Sequence, residues 1–329
     1  GVVNNVVLSN AANAGMIVNG SEVTISGVTT SGNAWGGINV DQGSGVTEIP
    51  LLTVTNVTHH TSPVAGITPA IWVDSGNASY VAVGDLYTVV SAPNGYLVFY
   101  DNAEFATIAA NFPVHNVTKD IYYATIQNAI TAATAGDTIE VSGTYVLDTV
   151  AVLDKAITLT CASGAKIQVS GTGDRFDIRA AATISSCEIE KTDKTGEQNI
   201  IRLNNADASG AKILNNKIHG QFVIGDPEVS RAIVVNAGSL SGVEISGNEI
   251  YGLRQPAYIS GTHTGVISNN YTHGTKGWVL EGGNLTFTGN TWGTVALGNA
   301  NVFDIAILTE VGPTYYTDVP AMSAANNNA

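Results

Sequence analysis

A short unit with a fixed corner recurs five times between residues 184 and 292, and it constrains the fold more than any other feature. The copies read ISSCEI (184–189), ILNNKI (213–218), ISGNEI (245–250), ISNNY (267–271) and FTGNTW (287–292). They begin 29, 32, 22 and 20 residues apart. A constant strand and corner joined by loops of variable length predicts a solenoid of stacked parallel strands.

The stretch YYATIQNAITAATAGDTIEVSGTY (122–145) has a different pattern. Apolar residues recur at helical spacing from Ile126 to Ala133, and Gly136 stands where a helix C-terminal cap belongs. The alternation in TIEV (138–141) then predicts a strand that leads into a Gly-Thr-Tyr turn. We therefore expect a helix over 122–134 followed by the first strand of a new segment.

This helix–strand–turn pattern resembles the N-terminal cap of right-handed parallel β-helix proteins of the pectate-lyase-like superfamily, which also include surface-layer and other extracellular repeat proteins. The resemblance implies that the helix closes the open end of an apolar solenoid. Here the cap stands in the middle of the chain. The expected fold is all-β, a right-handed parallel β-helix (solenoid) in two consecutive segments with a short internal capping helix.

We expect the first segment to span 1–118 and to lack its own N-terminal cap. Val2, Ile25 and Val54 begin similar units, 23 and 29 residues apart. We expect Asn5, which follows Val2, to be equivalent to the corner position. The second segment, 119–329, begins with the cap. Its tail, 313–329, contains YYTDVPAMSAAN, which resembles YYATIQNAITAA at 122–133 and predicts the start of another cap helix.

Composition restricts the partners. The 329 residues include 36 Gly and only 12% charged residues, with a net charge of −14. That charge argues against nucleic acid, because the phosphate backbone requires Lys and Arg. All 13 Lys and Arg residues lie between Lys119 and Lys276, and residues 1–118 contain seven acids and no Lys or Arg. The sequence contains no run of about 18 apolar residues, which is the length that a membrane span requires.

An extracellular, cell-surface location is expected from this composition. Six Asn-x-Ser/Thr sequons are compatible with export and glycosylation. They lie at Asn19, Asn56, Asn77, Asn116, Asn270 and Asn284.

Asparagine fills the fourth position of four of the repeated units. In the folds that this chain resembles, such a corner carries an internal ladder of stacked amides, and this is the favoured interpretation. The alternative is a row of exposed amides that binds a glycan or ice. The predicted ladder residues are Asn216, Asn248, Asn270 and Asn290.

The two cysteines are spaced like neighbouring turns of the solenoid. Cys187 occupies the corner position, and Cys161 precedes it by 26 residues. Strands in adjacent turns are about 4.8 Å apart, so stacked cysteines can meet disulfide geometry. We predict a disulfide in preference to two buried thiols. No Cys-x-x-Cys or nearby His indicates a metal site, although the resemblance leaves Ca²⁺ open as a cofactor.

The resemblance also includes polysaccharide lyases, which abstract a proton with Lys or Arg. Four arginines recur at intervals of 23, 29 and 23 residues, at Arg179, Arg202, Arg231 and Arg254, with Lys212, Lys217, Asp226 and Glu228 nearby in sequence. The Arg-x-Pro-x-x-Arg pattern of pectate lyases and the paired-Asp motifs of the hydrolases are absent. A row of solvated, ion-paired arginines is therefore favoured over a catalytic site.

Three functions follow as hypotheses. The first is a non-enzymatic structural subunit of a surface layer, sheath or filament that self-associates head-to-tail through its solenoid ends. The second is a polysaccharide lyase, and the third is a glycan-binding adhesin. For the third, Trp35, Trp72, Trp278 and Trp292 offer sugar-stacking platforms, although tryptophan fills solenoid corners equally well.

Overall fold

The computed structural model describes residues 1–56, 59–61, 68–194, 196–236, 238–317 and 321–325. The fold is all-β with long stacks of parallel strands, as expected for a β-solenoid. Two compact units divide the chain. Unit 1 consists of Gly1–His115 and Lys119–Thr125, and unit 2 consists of Asn116–Thr118 and Ile126–Ala329.

In the part of the chain that the structure describes, fourteen strands precede residue 126. They are β1 Val2–Asn4, β2 Val7–Ser9, β3 Met16–Asn19, β4 Glu22–Ser26, β5 Thr29–Ser31, β6 Ile38–Asp41, β7 Leu51–Val54, β8 His59–Thr61, β9 Ile71–Val73, β10 Val81–Ala82, β11 Tyr87–Ser91, β12 Leu97–Asp101, β13 Val114–Asn116 and β14 Ile121–Tyr123. One α-helix, α1 Asn102–Ile108, follows β12, and short 3-10 helices lie at Ala78–Tyr80, Gly84–Leu86 and Ala109–Asn111.

Three sheets build unit 1. Sheet A has the order β1-β4-β7-β10 and sheet B the order β2-β5-β8, and both are parallel. Within unit 1, sheet C has the order β3-β6-β9-β12-β11-β14. Ile25 pairs with Val54 in register as expected, but its partner on β1 is Val3 rather than Val2. Asn5 is exposed and has a positive φ of 55°, so it precedes the corner position instead of occupying it.

Two features of unit 1 depart from a purely parallel solenoid. The turn with Asn94 and Gly95 forms a true hairpin, since β12 is antiparallel to both β11 and β9. Helix α1 was not predicted. Its N-cap is Asp101, whose side chain accepts hydrogen bonds from the backbone N–H groups of Ala103 and Glu104 at 2.9 Å. The sequence signal was Asp101 followed three residues later by Glu104, which is a common start of a helix.

Unit 2 contains the remaining strands. They are β15 Thr138–Val141, β16 Thr144–Leu147, β17 Ala151–Leu153, β18 Thr158–Cys161, β19 Lys166–Val169, β20 Gly173–Ile178, β21 Thr183–Ser185, β22 Glu188–Lys191, β23 Glu197–Leu203, β24 Lys212–Leu214, β25 Lys217–His219, β26 Val229–Val235, β27 Val243–Ser246, β28 Glu249–Tyr251, β29 Gln255–Ser260, β30 Thr264–Ser268, β31 Tyr271–His273, β32 Trp278–Glu281, β33 Asn284–Thr288, β34 Thr291–Trp292, β35 Ile305–Thr309, β36 Gly312–Tyr316 and β37 Ala321–Ala325. Its helices are α2 Ile126–Ala132 and a 3-10 turn at Ala206–Ala208.

These strands stack into three sheets, and consecutive strands along the chain belong to the three sheets in rotation from β15 to β35. Sheet D has the order β15-β18-β21-β24-β27-β30-β33-β37, sheet E the order β16-β19-β22-β25-β28-β31-β34, and sheet F the order β17-β20-β23-β26-β29-β32-β35-β36. The repeated units are in register, so that Ile184, Ile213 and Ile245 form one buried row in sheet D. Like residues stacked along the axis supply the core, because one face of each short strand points inward.

Helix α2 begins at Ile126, four residues later than predicted, because the preceding tyrosines belong to β14. Ile126, Ala129 and Ile130 are buried, and the helix packs against β15 and β17, the first strands of sheets D and F. At its C-terminus the Lys155 ammonium donates hydrogen bonds to the carbonyls of Ile130, Thr131 and Ala133 at 2.7–2.9 Å. A cation that binds the last carbonyls also interacts favourably with the helix dipole.

The prediction of a second cap helix in the tail 313–329 is wrong for the described residues. β36 runs antiparallel to β35, and β37 runs antiparallel to β33. Residues 318–320 and 326–329 lie outside the described residues. β36 and β37 pair with the unpaired backbone N–H and C=O groups at the last edges of sheets F and D. A helix in this place would leave those groups unpaired.

Candidate functional site

A cleft of about 600 Å³ in unit 1 is the candidate functional site. We call it the aromatic cleft. Its lining residues are Ala34, Trp35, Asn39, Thr68, Pro69, Trp72, Asp74, Tyr96 and Tyr100. Two tryptophans and two tyrosines in one concave surface are typical of sites that bind flat or ring-shaped ligands.

The alternation of side chains in sheet C creates the floor of this cleft. Asn39 on β6, Trp72 on β9 and Val98 on β12 lie in one row across three paired strands. Their neighbours along each strand point to the opposite face and are at most 3% exposed; these are Ile38, Val40, Ile71, Val73, Leu97 and Phe99. Since successive residues of a strand alternate between faces, burying these six forces Trp72 and Tyr100 to the cleft side.

The loop that carries Trp35 is fixed by backbone contacts. The Gly37 N–H donates to the Pro69 carbonyl at 3.1 Å, and the Ile38 N–H donates to the Ala70 carbonyl at 2.9 Å. Gly36 has a φ of 114°, which L side chains rarely adopt, so a glycine is required at this turn. Trp35 is 55% exposed although it is apolar. An exposed indole held on an anchored loop is available for a ligand without a large rearrangement.

Trp72, Tyr96 and Asp74 form the polar end of the cleft. The Trp72 and Tyr96 rings meet edge to face, with centroids 6.1 Å apart and planes at 87°. The indole N–H of Trp72 donates a hydrogen bond to Oδ1 of Asp74. The Asp74 backbone N–H donates to the Val40 carbonyl at 3.1 Å, which ties this residue to β6. A carboxylate and an aromatic face are thus held next to each other.

The electrostatic character of the cleft is acidic. Asp74 carries the only formal charge among the described lining residues. Burial, and after it the Glu104 carboxylate, raises the pKa of Tyr100, so the phenol stays a neutral hydrogen-bonding group. The cleft therefore offers aromatic faces, an amide, phenols and one carboxylate, and its described lining contains no cationic side chain.

The other two predicted tryptophan platforms lie in unit 2. Trp278 is completely buried and meets Phe287 edge to face, with centroids 5.8 Å apart. Its role is core packing. Trp292 is half-buried in β34 and pairs in register with Thr272. Position in the fold, rather than residue type, separates the two tryptophans of the cleft from these two.

The asparagines predicted to form a ladder are stacked inside unit 2. The backbone N–H and the Nδ2 of each of Asn216, Asn248 and Asn270 donate to Oδ1 of the next asparagine at 2.9–3.1 Å. Nδ2 also donates to the carbonyl of the apolar residue that begins the preceding unit, as from Asn290 to Ile267 at 2.8 Å. All four side chains are at most 6% exposed. They are internal, so they cannot form an exposed ligand-binding row.

A left-handed residue stands before each ladder position. These residues are Ser186 (φ 56°), Asn215 (φ 55°), Gly247 (φ 69°), Asn269 (φ 55°) and Gly289 (φ 64°). Gly and Asn tolerate this backbone conformation best, which explains their recurrence at the third position of the unit. The same geometry occurs in unit 1, where Asn33 follows Gly32, accepts from the Ala11 N–H at 3.0 Å and donates to the Leu8 carbonyl at 3.1 Å. The Gly-Asn pair was the sequence signal for Asn33, which was not predicted.

Cys161 and Cys187 form a disulfide, with Cα atoms 4.9 Å apart. Cys187 occupies the corner position that asparagine fills in the later turns, and its backbone N–H donates to Oδ1 of Asn216 at 3.0 Å. The disulfide therefore joins two successive turns of unit 2 at the point where the ladder ends.

The candidate lyase arginines are engaged by other side chains of sheet F. Arg202 and Arg231 belong to one network, since Arg202 and Asn199 both donate to the Asp174 carboxylate and Arg231 donates to Oδ1 of Asn199 at 3.4 Å. Arg202 pairs in register with Val234, whereas Arg231 pairs with Asn199. The two arginines therefore stand three residue positions apart along the neighbouring strands β23 and β26. Arg179 bonds Asp177 at 2.6 Å, Arg202 bonds Asp174 at 2.7 Å and Arg231 bonds Glu197 at 2.6 Å. The structure thus brings each of these three arginines to an acid on the same sheet.

Four other residues of that set contact an oppositely charged side chain. Lys212 contacts Glu244 at 2.9 Å, Lys217 contacts Glu188 at 3.7 Å, and Asp226 contacts Lys194 at 2.9 Å. Glu228 is buried and lies 3.5 Å from Lys191. Arg254 is half-buried immediately before β29.

In the described residues, no group of three or more His, Cys, Asp or Glu is arranged to hold a metal ion. Two of the six sequon asparagines, Asn116 and Asn270, are at most 1% exposed. Attachment of a glycan requires an accessible amide, so these two are not acceptors in the folded protein. The other four, Asn19, Asn56, Asn77 and Asn284, are exposed.

No helix within the described residues has the length and apolar character needed to cross a membrane. Comparison of the chain with protein-family models found no matching family. Searches among curated proteins and among solved structures likewise found no match.

Proposed function

We propose that this protein is an extracellular glycan-binding protein of the adhesin type, built on a right-handed parallel β-helix like that of the pectate-lyase-like superfamily. The observation that carries the proposal is the aromatic cleft, where Trp35, Trp72, Tyr96 and Tyr100 surround Asp74 and Asn39. Pyranose rings present C–H faces to aromatic side chains and hydroxyl groups to carboxylates and amides. The cleft offers both kinds of contact in one place.

The solenoid fits this function as a rigid support. In unit 2, buried isoleucine rows, the asparagine ladder and the disulfide connect successive turns through side chains as well as backbone. In unit 1, the six buried residues of sheet C fix the orientation of the Trp72 side chain. A site that is already ordered before binding loses less conformational entropy when the ligand arrives.

The test is binding of the purified protein to an array of oligosaccharides, followed by calorimetry with those that bind. Trp35→Ala and Trp72→Ala should each weaken binding at least tenfold, which corresponds to about 1.4 kcal/mol. Tyr271→Ala is the matched control, since Tyr271 is a 42% exposed aromatic residue on β31 of unit 2. Equal affinity of the wild type and the two tryptophan variants would refute the cleft as the glycan site.

Self-association into a surface layer, sheath or filament is the second proposed function, and a different observation supports it. Val2, Val7 and Ile17 are 71%, 71% and 51% exposed on β1, β2 and β3, the edge strands of sheets A, B and C in unit 1. Apolar edge strands are templates for pairing with another chain. The sequence predicted that a C-terminal helix would make the contact between subunits. Because β36 and β37 are strands, that helix is not part of the contact proposed here.

Sedimentation velocity over a range of concentrations tests this second proposal. Val7→Lys should abolish any assembly, whereas Val295→Lys, at an 83% exposed position in unit 2, should leave it unchanged. A wild-type protein that stays monomeric at the highest concentration would rule out self-association.

A further inference from the structure

The distribution of charge determines which class of glycan the aromatic cleft can accept. Residues 1–118 contain seven acids and no Lys or Arg. Among the described residues that line the cleft, Asp74 is the charged one. An anionic sugar would therefore place its carboxylate beside Asp74 without a cationic side chain to compensate, and like charges in a partly dehydrated site repel strongly.

Uncharged and cationic sugars can instead interact favourably with the Asp74 carboxylate. A sugar hydroxyl can donate a hydrogen bond to the Asp74 carboxylate, and such charge-assisted bonds are stronger than neutral ones. The ammonium group of an amino sugar can form an ion pair with the same carboxylate. Both interactions leave the ring free to stack on the indole of Trp72, whose N–H already holds Oδ1 of Asp74.

We propose that Asp74 is a specificity-determining residue, and that the cleft accepts neutral and amino-sugar pyranosides but rejects uronates. This inference rests on the glycan-binding function proposed above. It runs against the expectation from polysaccharide lyases, whose substrates are uronates. The bases that could neutralise a uronate lie mainly in unit 2, in the ion pairs on its strands.

The orientation of the Asp74 carboxylate supports this role. Its backbone is bonded to Val40 on the neighbouring strand, and its side chain accepts from the indole of Trp72 two residues earlier. Both contacts come from paired strands of sheet C, β6 and β9. The carboxylate thus has a fixed place at the edge of the aromatic surface, as a specificity determinant requires.

Calorimetry with oligosaccharides of glucose, of glucosamine and of galacturonate tests the inference directly. The wild type should bind the galacturonate probe at least tenfold more weakly than the glucose probe, and the glucosamine probe most tightly. Asp74→Asn keeps an oxygen that can accept from Trp72. It should remove the preference for glucosamine over glucose and reduce the discrimination against galacturonate.

The matched control is Asp85→Asn, which removes an equal charge from an exposed position of unit 1 outside the cleft. It should leave all three affinities unchanged, and circular dichroism should show that both variants are folded. Galacturonate binding as tight as glucose binding, or an unchanged preference in Asp74→Asn, would overturn the inference while the proposed function stands. Absence of binding to all three probes and to the wider array would overturn the proposed function itself.

Discussion

Asn248→Ala tests the asparagine ladder, because Asn248 is an interior member with neighbours on both sides. Its Nδ2 donates to the Ile213 carbonyl at 2.8 Å and to Oδ1 of Asn270 at 2.9 Å. Its Oδ1 accepts from the backbone N–H and the Nδ2 of Asn216 at 2.9 and 3.1 Å. The side chain is 1% exposed, so water does not replace these contacts in the folded wild type.

The expected cost follows from the groups that lose their ladder partner. Alanine deprives two buried backbone groups of the Asn248 side chain, the Asn216 N–H and the Ile213 carbonyl. The other two contacts matter less, since Nδ2 of Asn216 keeps the Ile184 carbonyl and Oδ1 of Asn270 keeps the Asn248 backbone N–H. An unsatisfied buried group costs about 1–3 kcal/mol. Because a water molecule can enter part of the vacated space, we expect a total loss of about 2–4 kcal/mol.

Urea denaturation followed by far-ultraviolet circular dichroism and by tryptophan fluorescence measures this loss. Asn284→Ala is the control, because Asn284 is an exposed asparagine on β33 of the same unit. That substitution should change the free energy of unfolding by less than about 0.5 kcal/mol. If Asn248→Ala is as stable as the wild type, or if Asn284→Ala is equally destabilising, the ladder does not contribute to stability as argued.

Three further predictions concern charge and covalent bonds. Unfolded, unreduced protein should show no titratable thiols, and replacing both Cys161 and Cys187 by Ala should cost about 3 kcal/mol of unfolding free energy, by the entropy of a loop of this length; two titratable thiols would refute the bond. Burial, and second a neighbouring aspartate, raises the pKa of Glu104 from 4.5 to about 7. The folded state therefore holds a proton that the unfolded chain releases, so the free energy of unfolding should fall as the pH rises from about 4.5 to about 7. Glu104→Gln should flatten that slope in denaturation curves across this range, and an unchanged slope would contradict the assignment. Lys191 and Glu228 form an ion pair with side chains 0% and 1% exposed. Lys191→Met should cost about 3–5 kcal/mol because it leaves a buried carboxylate uncompensated, and adding Glu228→Gln should recover part of that cost; a double variant less stable than the single one would contradict this.

The sequence alone determined the parts of this protein that depend on local repetition. The rows that contain Ile184, Ile213 and Ile245 follow from identical spacing around each corner, because stacked turns bring equal positions into register. The pairing of Cys161 with Cys187 follows from the same register. The apolar periodicity predicted helix α2. Its predicted start was four residues too early, because Tyr122 and Tyr123 belong to β14.

The tertiary structure alone decided the features that depend on sheet edges and on distant contacts. The tail resembles α2 in sequence, yet β36 and β37 form strands, because unpaired backbone groups at the ends of sheets F and D outweigh a weak local helix preference. Likewise, the hairpin at Asn94 and Gly95 makes β12 antiparallel to both of its neighbours, β11 and β9.

The candidate site shows the same division. Its aromatic residues are visible in the sequence, but they come from a loop at Trp35, from β9, from the turn before β12 and from β12 itself. Up to 65 positions separate them, between Trp35 and Tyr100. Nothing local distinguishes Trp72 from Trp278, since both stand in short apolar strands. Trp72 faces the cleft because Ile71 and Val73 fill the core on the other side of sheet C, whereas Trp278 is itself part of the core. The face that a side chain occupies is set by which neighbours are buried, and only the assembled sheets decide that.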